Sequence, residues 1–429
     1  MLYYAEGSAT SDLSLIDLET GLRTALDSIG TRNRVLAVPP DFTRVYSQAG
    51  PLTEAIYRHY GERLAGVLPA IGTHTPMTTD QTHAMFPSIP KSLFRVHNWR
   101  DDIVTLGRIE SQMVRELSEG RLNYDWPAQV NRMLADGSHD LVLSIGQVVP
   151  HEVTGMANFN KNIFVGTGGS EAIGKSHYLG AVYGMERIMG HADSPVRAIL
   201  NEASRRFGSE LPVVYILTVV ESVPQADGAG ARLVVRGLFV GDDTECFYRA
   251  AGLARDVNVK LLPRAPRKIV AYMDPNKYHS TWLANKAIYR SRMAIADGGE
   301  LVVIAPGVKH FGEDAEIDRL IARHGYHGTQ AALDAVDGDP ELAGSLGTAA
   351  HLIHSSTDGR FGVTYAAGGL ADAQISAVGF DPMSVEDATA RYRIGELTDG
   401  WNTLPGGEEV YYLSNPALGL WALERSFNA

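Results

Sequence analysis

Three side chains behind one short apolar run carry the most chemical information in this chain: His151, Lys161 and His177, in HEVTGMANFNKNIFVGTGGSEAIGKSH. The run is Leu141–Ser144, so the loop and helix after it would carry a base, an amine and a second imidazole. That set can hold a cofactor and move protons. A second histidine, His74, leaves an apolar run through glycine in VLPAIGTHTPMT, and its ordinary pKa near 6.5 suits general-base work. His151, behind Pro150 and beside Glu152, follows the same logic. A third run ends in PPDFTR, which places the carboxylate of Asp41, the hydroxyl of Thr43 and the guanidinium of Arg44 at one strand end, a fork suited to a carboxylate or a phosphate. Lys161 stands among Asn158, Asn160 and Asn162, an unusual setting for a merely solubilising charge.

Gly169–Ser176 (GSEAIGKS) also matches the phosphate-loop pattern GxxxxGK[ST], which taken alone suggests a nucleotide hydrolase. The pattern lies in mid-domain, and Asp274 is the only fair magnesium partner. A looser reading keeps Gly166, Gly168 and Gly169 as a flexible loop before a helix whose N-terminus holds one phosphate. His59, His83, His97, His139, His191, His324 and His327 read as surface or structural histidines.

The elements that must position these groups are legible in outline. Short Val-, Ile- and Leu-rich runs at Val35–Val38, Gly66–Ile71, Leu141–Ile145, Val213–Val220, Leu233–Val240, Ile269–Met273 and Leu301–Ile304 alternate with longer helical patterns. The helical patterns are Leu52–Leu64, Ser111–Glu119, Trp126–Leu134, Cys246–Val257 and Ser280–Ala296. Such alternation predicts an α/β fold: two domains with largely parallel sheets flanked by helices. Ligands of open parallel sheets sit beyond the carboxyl ends of the strands, which makes Asp41, Thr43, Arg44, His74, His151 and His310 candidates by position. The prolines of Pro263–Arg267 mark a linker. The expected division is therefore 1–265, a cofactor-binding and catalytic domain joined by 408–429, and 266–407, a smaller α/β domain, with the active site in the cleft between them.

At 429 residues, 45 % hydrophobic and 21 % charged, the chain can build two cores of ordinary globular kind. Its net charge of −12 argues against nucleic acid or an anionic membrane as a partner. A single cysteine, Cys246, excludes an intramolecular disulfide and reads as a small buried residue. The N-terminus lacks the basic-then-apolar order of a signal peptide, and no apolar stretch reaches the roughly 20 residues needed to span a bilayer, so the expectation is a soluble cytoplasmic protein.

The joint order of these segments resembles the lactate racemase family, whose members use a nickel-pincer nucleotide. D-x-T-R at Asp41–Arg44, G-x-H at Gly72–His74, the spaced set His151, Lys161 and His177, and Lys286 on the helix before Gly298-Gly299 carry the resemblance. It implies a pyridinium mononucleotide (a pyridinium-3-thioamide-5-thiocarboxylic acid mononucleotide) whose sulfur-bearing arms and ring carbon hold nickel, supplied by separate cofactor-producing enzymes. Lys161 would carry the covalent thioamide link and His177 would be the fourth nickel ligand, while Asp41, Thr43, Gly168 and Gly169 would contact the nucleotide. Imidazole and soft sulfur donors suit square-planar nickel, so a chain with one cysteine still gives the metal sulfur.

The activity implied is an isomerase: racemisation or epimerisation at C2 of a small-molecule 2-hydroxy acid through a 2-keto acid. Inversion calls for a base for each hand, places that His74 and His151 would fill, with Arg44 and Lys286 holding the substrate carboxylate or polarising its oxygen. The alternatives are the nucleotide hydrolase above and a cofactor-binding homologue without catalysis. The chain also departs from the family. The glycine-rich approach to the family's lysine is replaced by Ala157-Asn158-Phe159-Asn160-Lys161, Leu283 stands where lactate racemases carry glutamine, and Gly344–Ser355 holds no tryptophan. A larger or more polar substrate than lactate, such as a sugar acid, is therefore expected.

Overall fold

Val35–Val38 is four apolar residues without one exposed atom of consequence, and such a run must lie between other strands and under helices. In the computed structural model it is an inner strand of a six-stranded sheet. The structure describes residues 1–209, 211–224 and 231–427 and divides into two units, Met1–Glu221 with Leu233–Val257, and Ser222–Arg232 with Asn258–Ala429.

The first unit's sheet runs in the order Leu2–Gly7, Ala231–Gly241, Val213–Pro224, Leu141–Gln147, Val35–Val38, Leu64–Val67. Val35–Val38 is parallel to both neighbours, Leu141–Gln147 is parallel to Val213–Pro224, and Leu2–Gly7 closes one edge antiparallel to Ala231–Gly241. The chain goes from Val35–Val38 to one side, to Leu64–Val67, and then crosses back to Leu141–Gln147 on the other. That reversal opens a crevice at the carboxyl ends of the two central strands. Helices Leu15–Ile29 and Ala49–Tyr60 bury their apolar faces against one side, with Leu22, Leu26, Leu52 and Ile56 in a core shared with Leu143 and Ile216. Cys246 is buried, as its lone occurrence suggests, and burial pushes its thiol pKa up.

Trp126–Asn131 corrects the helix expected over Trp126–Leu134. It is a strand, antiparallel to Ile103–Ile109, and only Arg132–Ala135 is helical. Its apolar residues recur at 126, 128 and 130, the two-residue period of a strand, in a run too short for periodicity alone to settle.

The second unit has its own six-stranded sheet, in the order Asp381–Pro382, Phe361–Ala367, Gly299–Ala305, Lys268–Tyr272, Glu409–Leu413, Gly400–Thr403, parallel except for the last pair. Two expectations about boundaries change here. The chain enters this unit at Asn258, ahead of the prolines, because Val259–Leu262 pairs with Leu420–Leu423. The segment 408–429 belongs to this unit and not to the first, since Glu409–Leu413 completes its sheet beside Lys268–Tyr272. The helix expected over Ser280–Ala296 is broken into Thr281–Ala284 and Lys286–Ser291, with Asn285 non-helical between them. Among the described residues no helix is long and apolar enough to cross a membrane.

Candidate active site

Asp41 follows the Val35–Val38 strand through two prolines and caps the turn Phe42–Ser47, its Oδ1 accepting from the Thr43 amide and hydroxyl. Its other oxygen lies 2.6 Å from Nδ1 of His74, which leaves the neighbouring strand through Gly72. Burial would raise the Asp41 pKa, but His74, Thr43 and Arg44 more than offset it and hold the carboxyl at about 2. An ionised carboxylate only accepts, so the hydrogen on His74 sits on Nδ1 and the lone pair on Nε2. Both Asp41 oxygens thus have partners inside the protein, and one of them fixes the His74 ring.

His151 lies in a tight hairpin, Pro150–His151 against Gly155–Met156, beyond the Leu141–Gln147 strand. It is buried, and its Nδ1 accepts from the Val153 amide at 3.1 Å.

Lys161 opens a single π-helical turn, Asn162–Gly166, a distortion that recurs at functional sites. Asn162 ties this turn to the crevice by donating to the Val38 carbonyl and the Ser144 hydroxyl, on the two central strands. The Lys161 side chain keeps some accessible surface, but protein crowds its amine; this desolvation and the nearby Arg44 lower its pKa to about 8. Among the described residues neither Lys161 nor Arg44 forms an ion pair, so two cations share one end of the sheet with an anion-sized need. Arg44 itself is half-buried.

The replaced glycines before Lys161 have a structural answer. Asn158 and Phe159 both adopt left-handed φ values, 64° and 59°, conformations that glycine takes freely and that cost other residues about 1–3 kcal/mol each. Their side chains hold the strain. Phe159 stacks on Phe247 at 5.1 Å and meets Tyr215 at 4.3 Å. Arg197, fully buried on the helix Pro195–Phe207, donates to the carbonyls of Met156 and Asn158 and to Oδ1 of Asn160, with its guanidinium 4.2 Å from the Phe247 ring centroid. The sequence reading missed Arg197 because an arginine in a helical pattern is usually solvated; only Pro195 at the helix start hinted that the segment was anchored. Burial lowers even this guanidinium to about 9. Arg197→Met is expected to destabilise the protein by about 3 kcal/mol or more, because buried carbonyls lose their donors at about 1–3 kcal/mol each. Urea unfolding checks this; a change under about 1 kcal/mol would remove Arg197 from the anchoring role.

His177 sits on the helix Ser170–Tyr183 and donates from Nδ1 to the Ile173 carbonyl at 2.7 Å, which leaves the lone pair of a neutral ring on Nε2. Desolvation, with the nearby Lys161 charge, lowers its pKa to about 4, so it is a neutral imidazole at physiological pH. Trp126 braces this helix through Nε1 to the Ala172 carbonyl and the Ser176 hydroxyl.

The phosphate-loop reading is overturned by the same helix. Ser170–Ser176 is helical, so most of its amides are bonded within the helix, and Lys175 is held by Glu171 at 2.6 Å and the Asp125 carbonyl at 2.7 Å. Ser176 is buried against Trp126. At the helix start, Ser170 and Ala172 donate to Trp99 and Gln129. Gly168 and Gly169 have packing reasons to lack side chains: a Cβ would lie 2.1 Å from the Phe164 carbonyl oxygen and 2.3 Å from Ile103 Cδ1.

Lys286 and His310 lie in the second unit. Lys286 is buried at the start of its helix, its amine 3.5 Å from the Leu283 carbonyl, and His310 is exposed with Nδ1 bonded to the Gly312 carbonyl. In the region without tryptophan, His351 packs its ring 4.5 Å from that of Trp282 and meets the Tyr326 hydroxyl at 3.1 Å. Nothing in the sequence pattern singles out His351.

Residues 18–188, which carry Asp41, Arg44, His74, His151, Lys161 and His177, match the family model described as lactate racemase N-terminal domain. That segment is similar to a lactate racemase N-terminal domain. Two solved structures share the whole fold. A Thermotoga maritima protein from a structural genomics programme superposes with a TM-score of 0.78 over 94 % of this chain and 99 % of its own, at 22 % identity. The lactate racemase apoprotein of Thermoanaerobacterium thermosaccharolyticum superposes with a TM-score of 0.64 over 95 % of this chain and 89 % of its own, at 12 % identity. No curated protein matches the chain in sequence.

Among the described residues no three His, Cys, Asp or Glu side chains gather as a metal cage, whereas one neutral imidazole and one partner-free amine suit a metal that arrives with its own organic ligands.

Proposed function

We propose that this protein inverts C2 of a 2-hydroxy acid with a nickel-pincer nucleotide tethered at Lys161 and ligated through His177. The observation that carries the reading is the Asp41–His74 pair beside a desolvated lysine, at the carboxyl ends of adjacent parallel strands within the matched domain. When bound, the cofactor supplies a hydride acceptor at C2. The chain's own groups do the rest. The Nε2 lone pair of His74 takes the hydroxyl proton as C–O becomes C=O, and returns it on reduction. Arg44 offers a fork to the substrate carboxylate, and His151 presents Nε2 to the substrate oxygen.

The test is protein co-produced with the cofactor-making enzymes and given single enantiomers of lactate, malate and gluconate in deuterated water. One of these should be inverted with C2 keeping its own hydrogen, because hydride never meets solvent. Deuterium at C2 would mean proton abstraction from carbon and would overturn the proposal, as would failure to invert any of the three by protein that carries the cofactor.

A further inference from the structure

The first unit holds a second concavity, lined by none of Asp41, Arg44, His74, His151, Lys161 or His177. It is an open cavity of about 310 Å³ against Val213 and Tyr215, at the amino-terminal end of a strand parallel to Leu141–Gln147, and so at the opposite end of the sheet from the crevice. Its size falls at the lower end of the roughly 300–1,000 Å³ of small-molecule sites.

The lining states what chemistry would fill it. Phe159, Phe164 and Tyr215 contribute aromatic rings, each more than nine-tenths buried. Tyr215 is only 6 % exposed, yet its hydroxyl has no hydrogen-bond partner among the described residues. A phenol buried to that extent normally finds a partner, so this one is left for a molecule entering the cavity. Asn201, half-buried in the same wall, spends its Oδ1 on Asn160 and has both Nδ2 hydrogens to offer. The charges at the mouth are already spent. Arg205 grips Glu202 through two bonds, of 2.7 and 2.8 Å, while Asp242 takes the Tyr3 hydroxyl at 2.7 Å and shares the N-terminal amine with Asp243. The two carboxylates repel an anion, and the one cation of the lining is held elsewhere. The occupant this wall suits is uncharged and flat, with an oxygen that accepts from a phenol and an amide.

The cavity reaches Lys161 through one residue. Asn160, fully buried in the cavity wall, precedes the lysine; its Nδ2 donates to Asn201 at 2.7 Å and to the Ser204 hydroxyl at 3.2 Å, both in the same wall, and its Oδ1 accepts from Arg197. Phe159, with its left-handed φ of 59°, is part of both the wall and the turn before Lys161.

We propose that this cavity is a binding site for a small uncharged aromatic amide, and that its occupancy holds the Lys161 segment closed. The proposal stands apart from the function proposed above, because cofactor-free protein suffices to test it. The probe is benzamide, with benzoate and benzylamine as charged controls of the same size. Saturation-transfer NMR should give benzamide a Kd on the order of 1 mM, as expected of so small a ligand. Benzoate and benzylamine should bind at least about tenfold more weakly. Tyr215→Phe should weaken benzamide about five- to tenfold, the weight of one hydrogen bond. Thr244→Trp, at an exposed position in the mouth, should abolish binding by filling it. Labelling of Lys161 by an amine-reactive reagent should slow about tenfold at ten times Kd, since a ligand that binds only the closed segment suppresses its opening by that factor. No binding of benzamide at about 10 mM, equal binding of benzoate, or an affinity unchanged by Tyr215→Phe overturns the site. Lys161 labelled at one rate with and without bound benzamide overturns the link to the lysine.

Discussion

Lys161→Ala is expected to abolish cofactor retention completely, leaving an intact mass equal to that of the bare chain after co-production with the cofactor-making enzymes. The lysine is suited to the tether for reasons that precede any analogy. Its amine has lost much of its water and sits near Arg44, so its pKa falls to about 8 from the ordinary lysine value. At pH 8 about half of such amines are neutral and nucleophilic, against well under 1 % of an unperturbed lysine. The pH dependence supplies a second check: labelling of the cofactor-free protein by an amine-reactive reagent should rise at Lys161 through pH 8. His177→Ala should separate tether from ligand, keeping the mass adduct and losing nickel. An adduct that persists in Lys161→Ala, or one that stays on another lysine, would remove Lys161 from the role and take the proposed function with it.

What could be read in advance was whatever depends on short-range pattern. Val35–Val38 and Leu141–Gln147 are apolar throughout because both faces are covered, and residues placed just after them, Asp41 and His151, do fall at the carboxyl end of the sheet. What escaped depends on partners distant in sequence. Nothing in PPDFTR says that Asp41 will meet a histidine 33 residues away, although that bond fixes which nitrogen of His74 is basic. Arg197 is invisible for the same reason: its partners lie 37 to 41 residues upstream, in a loop whose conformation it stabilises. Trp126–Asn131 failed differently, because six buried residues satisfy a helix and a strand equally until a neighbouring strand is known. The terminal strand Glu409–Leu413 was assigned to the wrong unit since an apolar run declares that it will be buried but not against what.

Asp41→Asn should be nearly as damaging as loss of His74 itself, with turnover falling about 10²–10⁴-fold although almost no volume changes. The geometry dictates the direction. Oδ1 accepts from the Thr43 amide, so the amide oxygen that replaces it must stay there, and the new NH2 group turns to His74. That group donates, which forces the Nδ1 lone pair toward it and moves the imidazole hydrogen to Nε2. The base thereby becomes a donor, in the wrong tautomer for taking a proton. Histidine ¹⁵N NMR, which reads the native tautomer, should show this inversion at His74, and normal nickel content would separate it from loss of the cofactor. Stability offers an independent sign. Because the folded pKa of Asp41, about 2, lies below its unfolded value near 3.9, the native carboxylate contributes about 2 kcal/mol that is fully present above pH 4 and disappears as pH falls towards 2. Urea unfolding between pH 5 and pH 2 should show that loss in the native protein and a shallower slope in the variant. Equal slopes would mean that the carboxylate is not held ionised by His74, and the argument for a directed base would fail with it.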